Sequence, residues 1–198
     1  MKVTLEKTFP MPASAETAWA LLQDIEGVAG CMPGAKITER IDAQHYKGTV
    51  SVKFGPASMA FRGDVEVREI DAATKTLRLF GKGTDTTGSS GASMDLTARI
   101  DAVDAASCNL VGTSEVSMSG KAATFGGRMM GSVADQVLKQ FAANFATQVQ
   151  ALQAQASSAA PAPAAAAPPA APSQLNGLAL IWAVIKDWLR SLFAAKKA

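Results

Sequence analysis

The side chains best suited to acid–base, nucleophilic or metal chemistry are few in this sequence, and they are scattered. His45 is the only histidine, and no second histidine or cysteine stands near it at metal-ligand spacing. Cys31 and Cys108 are isolated, which predicts neither a disulfide framework nor a metal site, and no basic residue adjoins Cys31 to lower the pKa of its thiol. We therefore expect a surface histidine, no catalytic residues and no metal site.

Two glycine-rich stretches could contact a ligand through the backbone. The first, GKGTDTTG at 81–88, is followed by a strand-like segment, so it lacks the helix N-terminus that a phosphate requires. The second, GGRMMG at 126–131, opens a long helical pattern. There Arg128 is placed to meet a polar ligand head, and Met129 and Met130 to flex around an apolar body. The alternative is a loose helix start with a surface arginine, because glycine weakens a helix.

Composition divides the chain into three parts. Of its 198 residues, 48% are hydrophobic, and five of the nine prolines fall within the Ala- and Ser-rich stretch 156–173. This stretch predicts an exposed, semi-rigid linker between a body of residues 1–155 and a tail of residues 174–198. The net charge is +2, and the tail carries +3, so the rest carries −1. An anionic partner is expected for the tail alone, and nucleic acid is not expected as a partner.

The elements of the body follow from hydrophobic periodicity. A first strand-like segment leads to a short helix for which Ser14 is the expected N-cap, and then to VAGCMPGA (28–35), which predicts a turn-rich loop. Six alternating segments between Lys36 and about Ser119 predict consecutive antiparallel strands. A long helix follows, and we expect an α+β fold in which it lies on the concave face of the sheet. Its apolar stripe comprises Met130, Val133, Val137, Phe141, Phe145, Val149 and Leu152.

Small residues recur on the predicted inner face of the strands. A packed interior is normally filled by large side chains, so small ones beneath a helix leave volume, and an apolar, Met-rich lining suits a hydrophobic ligand. The alternative is that the glycines relieve strand curvature. The small inward residues are Gly48, Gly63, Gly81, Ala98, Gly112 and Ser114. The predicted cavity-lining residues are Phe54, Met59, Phe61, Gly63, Met94, Gly112, Met118, Phe125, Arg128, Met129, Met130, Val133 and Phe141.

The tail contains the most apolar stretch of the chain, LALIWAVIKDWLRSLF. Residues 177–185 carry no charge, but Lys186, Asp187 and Arg190 follow closely, so the apolar run is too short to span a bilayer. Aromatic residues on an apolar face, with basic residues beside them, favour a helix lying in the membrane interface. Docking into a protein groove is the alternative. The predicted membrane-binding residues are Leu178, Ile181, Trp182, Ile185, Trp188, Leu189, Leu192, Phe193, Lys196 and Lys197.

Three stretches of the body resemble a known family. They are VAGCMPGA at 28–35, GTVSVKFGPASMAFRGDVEV at 48–67 and GKAATFGGRMMGSVADQVLKQFAANF at 120–145. Together they resemble the G-type accessory subunits of molybdenum-containing carbon monoxide dehydrogenases, in the START/Bet v 1-like (SRPBCC) superfamily, over about residues 1–150. The resemblance implies a helix-grip fold, with a curved antiparallel sheet wrapped around a long C-terminal helix and an apolar cavity for a lipid-like ligand.

The resemblance also implies a non-catalytic accessory protein. Its expected partners are a carbon monoxide dehydrogenase complex of the molybdenum hydroxylase type, or a related hydroxylase, and membrane lipids. We expect it at the cytoplasmic side of the membrane as a peripheral protein, since the N-terminus has no apolar run of signal-peptide length. No covalent cofactor is expected, and the hydrophobic ligand is expected to be a respiratory quinone that couples the enzyme to the respiratory chain. Two alternatives are a membrane-recruitment scaffold with no ligand role, and a lipid- or polyketide-modifying enzyme.

Overall fold

The computed structural model describes residues 1–54 and 57–159. Within these ranges the side chains of Phe54, Ala57, Phe125, Arg128 and 157–159 lie outside the description. The predicted linker from residue 160 onward and the whole predicted membrane-binding tail also lie outside the described residues.

The described chain forms one curved antiparallel sheet and a long C-terminal helix, as the sequence predicts. Ser14 caps the first helix as predicted, because its Oγ accepts a hydrogen bond from the backbone N–H of Thr17 at 3.2 Å. The seven described strands are arranged in the order β1-β7-β6-β5-β4-β3-β2. The elements are β1 (Lys2–Met11), α1 (Ala15–Gln23), α2 (Ile25–Cys31), β2 (Ala35–Arg40), β3 (His45–Phe54), β4 (Ala57–Asp71), β5 (Thr76–Asp85), β6 (Ser90–Ala102), β7 (Cys108–Gly120), a 3₁₀ helix (Lys121–Phe125) and α3 (Gly127–Ala159).

The second short helix corrects a sequence prediction. The stretch 28–35 was expected to be a turn-rich loop, yet α2 extends through Cys31, and Gly34 has the positive φ, +78°, that a tight turn requires. Packing accounts for the difference, because Ile25 and Cys31 are buried and their burial offsets the low helix propensity of glycine. The helix is also tied to α3, since the side-chain amide of Asn144 donates to the carbonyl of Cys31 at 2.9 Å.

Three hairpin turns at the end of the sheet near α1 share one construction. In each, an aliphatic residue, an aspartate and an alanine follow one another, and the aspartate Oδ1 accepts a backbone N–H within the turn. Hydroxyl and backbone donors within each turn keep the carboxyl pKa below its usual range, so the turns remain capped at neutral pH. A defined turn fixes the register of the two strands that it joins. The capping residues are Asp42, Asp71 and Asp104.

The same end of the sheet holds the main hydrophobic core. Here α1, α2 and the C-terminal half of α3 cover the concave face, and Phe145 and Val149 of α3 are completely buried. The predicted apolar stripe of α3 therefore packs at this end, although Leu152 at its limit is exposed. The core also contains Met11, Trp19, Leu22, Tyr46, Val67, Leu77, Ile100 and Leu110.

Candidate ligand-binding site

The register of the sheet places the predicted inward residues on one face. Gly63 pairs with Gly48 on one side and with Gly83 on the other. Gly112 pairs with Ala98 of β6 and with Lys7 of β1. The alternation read from the sequence is therefore correct in phase across the strands from β3 to β7, and it extends to Val3, Leu5, Lys7 and Phe9 of β1.

The concave face is covered at one end only. Beyond the core, inward apolar side chains remain half-exposed on both the sheet and the N-terminal half of α3. The backbone of α3 comes closest to α1, α2 and the flanking strands β1 and β3. An apolar cleft is therefore left between the first half of α3 and the inner face of the sheet. Its half-exposed apolar residues include Val3, Leu5, Val50, Val52, Met59, Met94, Val116, Met118, Met129, Val133 and Val137.

Two glycines on the walls of this cleft border unfilled space. A Cβ added to Gly112, on the inner face of β7, would meet no described atom within 4 Å. The same holds for Gly131 in the first turns of α3. At Gly112 the small residue therefore leaves volume, as the sequence pattern predicts.

The glycine row on β3, β4 and β5 has a different explanation. A Cβ on Gly63 would collide with the backbone carbonyl oxygen of Lys82, and one on Gly48 would lie 2.9 Å from the carbonyl oxygen of Lys36. These glycines let neighbouring strands approach closely where the sheet bends, which is the curvature alternative. The expectation that Gly63 is small in order to leave ligand volume is therefore wrong.

Two polar features lie on the inner face of β1 and β7, beside Gly112. The Nζ of Lys7 lies 2.8 Å from the Oδ1 of Asp135, which joins β1 to α3 and lowers the carboxyl pKa. Ser114 is only 8% exposed, and no described atom accepts or donates a hydrogen bond at its Oγ. The cleft thus has an apolar lining with one ion pair and one unpaired hydroxyl on the same flank.

A small cluster closes the far end of the cleft under the 3₁₀ helix. Asp85 organises it: its carboxylate accepts bonds from the hydroxyl of Thr87 at 2.5 Å and from the backbone N–H of Ser90 at 2.8 Å. The Oγ of Ser90 then accepts the backbone N–H of Ala122 at 3.0 Å, which ties the β5–β6 hairpin to the 3₁₀ helix. The bond from Thr87 is the main cause that lowers the pKa of Asp85, so the cluster is held by an ionised carboxylate.

The predicted lining residues take three different positions. Half-exposed on the walls of the cleft are Met59, Met94, Met118, Met129 and Val133. Phe61 and Met130 are buried, 5% and 9% exposed, outside the main core. Phe141 packs against the core, with its ring centroid 5.8 Å from that of Phe145. The side chains of Phe54, Phe125 and Arg128 lie outside the description.

The residues suited to catalysis are not brought together. His45 is exposed on the outer surface, where its Nδ1 lies 2.9 Å from the Oδ1 of Asp42. Cys31 and Cys108 are buried, and burial raises the pKa of both thiols, which keeps them protonated and unreactive at neutral pH. Within 1–54 and 57–159, no group of three or more His, Cys, Asp or Glu side chains is placed to hold a metal ion.

Lys7 and Asp135 were missed by the sequence reading, although a signal for Lys7 exists. In VTLEKTF the apolar positions Val3, Leu5 and Phe9 alternate, and Lys7 occupies the same phase. A lysine on an inward phase requires a partner, because burying an unpaired charge is costly. The partner is 128 positions away on α3, a distance that no local pattern bridges.

Comparison with protein families and solved structures agrees with this architecture. The family model for the carbon monoxide dehydrogenase G-type accessory protein, CoxG, matches residues 8–150. No curated protein matches the chain. Among the described residues, no helix is both long enough and apolar enough to cross a bilayer.

Three solved structures are similar in fold at low sequence identity. A conserved protein from Geobacillus kaustophilus has a TM-score of 0.68 and 19% identity, over 75% of this chain and 96% of that one. The Zhui aromatase/cyclase from Streptomyces sp. R1128 has a TM-score of 0.56 and 16% identity, over 76% and 94%. A START superfamily protein from Mycobacterium smegmatis has a TM-score of 0.51 and 19% identity, over 75% and 98%. These likenesses establish the START-type helix-grip fold.

Proposed function

The chain belongs to the carbon monoxide dehydrogenase CoxG family, and from this premise we propose that it is an accessory subunit that carries a respiratory quinone in its cleft. The quinone accepts electrons from the dehydrogenase and so couples the enzyme to the respiratory chain. The observation that carries the proposal is the cleft itself, whose apolar walls stay half-exposed while the core beside them is closed. Such a site suits an apolar ligand with a small polar head.

The placement of the candidate catalytic residues favours a binding role over a chemical one. The exposed His45 lies outside the cleft, and the two thiols are buried elsewhere with raised pKa values. The aromatase/cyclase neighbour shows that enzymes share this fold, but at 16% identity it carries no activity across.

The tail completes the proposal. We propose that residues 174–198 hold the protein peripherally at the cytoplasmic face of the membrane, because their apolar face, two tryptophans and net charge of +3 suit an anionic bilayer interface. Each basic residue near such a surface adds about 1 kcal/mol, and salt weakens it. Flotation of the full chain with vesicles of 30% anionic lipid should exceed flotation with neutral vesicles and fall in 0.5 M NaCl. Equal flotation with both, or binding only to the purified dehydrogenase, would contradict the membrane role.

Ligand binding is tested by filling the cleft. Full-length protein purified from its native host is extracted with organic solvent, and decylubiquinone is titrated into the protein by calorimetry. We expect an isoprenoid quinone in the extract and saturable binding. Gly112→Phe projects a large side chain into open space and should abolish binding, whereas Gly88→Ala at an exposed turn should not.

Electron transfer separates the proposal from a pure scaffold. With the dehydrogenase, carbon monoxide and decylubiquinone, the wild-type protein should accelerate quinone reduction and Gly112→Phe should not. If Gly112→Phe supports both recruitment and quinone reduction at wild-type rates, the cleft is incidental and the protein is a scaffold.

A further inference from the structure

The unpaired hydroxyl of Ser114 is the feature that the fold does not explain. The residue is 8% exposed, and no described atom lies within hydrogen-bonding distance of its Oγ. A buried polar group without a partner costs about 1–3 kcal/mol, so such groups are rare and call for an explanation. Alanine at this position would pack without that cost.

The position of Ser114 ties it to the cleft. It stands on the inner face of β7, opposite Leu5 of β1 and Leu96 of β6, which are both apolar and half-buried. Two residues along the same face is Gly112, beyond which a Cβ would meet nothing within 4 Å. The hydroxyl therefore adjoins the unfilled space, at the boundary between the closed core and the open cleft.

The charge around Ser114 selects the kind of ligand head. The nearest charged group on this face is Lys7, which pairs with Gly112 in the register and whose ammonium is already bound to Asp135 at 2.8 Å. The pair is neutral overall, so it gives no net attraction to a carboxylate. A hydroxyl beside a neutralised lysine is suited to donate to an uncharged carbonyl oxygen.

We propose that Ser114 is the polar anchor of the cleft, which donates a hydrogen bond to one carbonyl oxygen of a neutral apolar ligand and so fixes its head against β7. This inference rests on the proposed function and adds to it a residue, an orientation and a ligand class. The ligand enters with its head toward the core boundary, and its tail lies along the methionine-lined walls toward the 3₁₀ helix.

The test compares ligands that differ only in the head. Decylubiquinone, dodecanoate and 1-phenyldecane are titrated into the full chain and into Ser114→Ala. Ser117→Ala is the matched control, because it is on the same strand but on the outward phase. Ser114→Ala should weaken decylubiquinone by about 3- to 10-fold, as expected for one neutral hydrogen bond. Binding of 1-phenyldecane should be unchanged, and dodecanoate should bind the wild type more weakly than decylubiquinone does.

Two further readouts distinguish an anchor from a structural serine. The infrared carbonyl stretch of bound decylubiquinone should shift to lower frequency in the wild type and return toward the free value in Ser114→Ala. The melting temperature of the ligand-free variant should equal or exceed that of the wild type, because an unpaired polar group has been removed.

The outcomes separate the inference from the function on which it rests. If no probe binds the wild type, the proposed function fails and takes the anchor with it. If decylubiquinone binds the wild type and Ser114→Ala equally, or if Arg128→Gln alone abolishes the carbonyl shift, the cleft binds ligand but Ser114 is not its anchor. Tighter binding of dodecanoate than of decylubiquinone would overturn the neutral-carbonyl assignment.

Discussion

Where α1 and α2 cover the sheet, Phe145 and Val149 of α3 are completely buried, whereas Val133 and Val137 on the same helix remain half-exposed. The two halves of the concave face use the same strands, the same helix and similar apolar residues. What differs is the third layer: two short helices close one half, and none of the described elements closes the middle of the other. The hydrophobic pattern of α3 is therefore continuous, but only part of it stabilises the fold, and the remainder is available to a ligand.

The sharpest way to break this comparison is to truncate one residue of α3 in each half. Phe145→Ala removes a fully buried ring from the core and should lower the free energy of unfolding by about 3–5 kcal/mol. Met129→Ala removes a half-exposed side chain and should cost less than about 1 kcal/mol. Urea denaturation followed by circular dichroism measures both. Similar losses in the two variants would show that both halves are packed core.

A second comparison uses one substitution at two glycines of the inner face. Gly63→Ala should destabilise the protein by about 1–3 kcal/mol, because its Cβ collides with the backbone of Lys82 and the strands must separate. Gly112→Ala should leave stability unchanged or raise it by about 0.5 kcal/mol, since its Cβ enters open space and alanine has less freedom in the unfolded chain. Thermal unfolding of both variants decides it. A large loss in Gly112→Ala would mean that the space beside β7 is already filled.

These two glycines also show how far the sequence could be read. Alternation fixed the phase of the strands and so placed Gly63 and Gly112 correctly on the inner face. Alternation cannot say whether a glycine leaves room for a ligand or lets two backbones approach, because this depends on how strongly neighbouring strands bend. One glycine does each, although both were predicted to leave volume.

Long-range pairs and tertiary burial account for the other differences. The helix through Cys31 forms against its local glycine content because its buried side gains more from packing than propensity costs. The Lys7–Asp135 pair and the isolation of Ser114 depend on partners brought together by the whole sheet. The fold could be predicted because it follows from period and order, but the polar details of the cleft could not.

The smallest expected effect concerns the cluster that closes the cleft at its far end. The pKa of Asp85 lies below its usual value of about 3.9, mainly because the hydroxyl of Thr87 donates to the carboxylate. A depressed folded-state pKa stabilises the protein above the unfolded-state pKa, and that contribution is lost as the pH falls through the folded value. Asp85→Asn should therefore be less stable than the wild type at pH 7, and the difference should shrink below about pH 4.

Thr87→Val is the graded control for this carboxylate, since it removes the main donor but leaves the backbone N–H of Ser90 in place. It should show a smaller loss at pH 7 with the same dependence on pH. Thermal melts at pH 3, 5 and 7 measure all three proteins, and hydrogen exchange of residues 85–90 reports whether the loss is local. If Asp85→Asn keeps its full deficit at pH 3, the hairpin is held by its shape and not by the charge. The far end of the cleft would then resist acid as well as the closed half does.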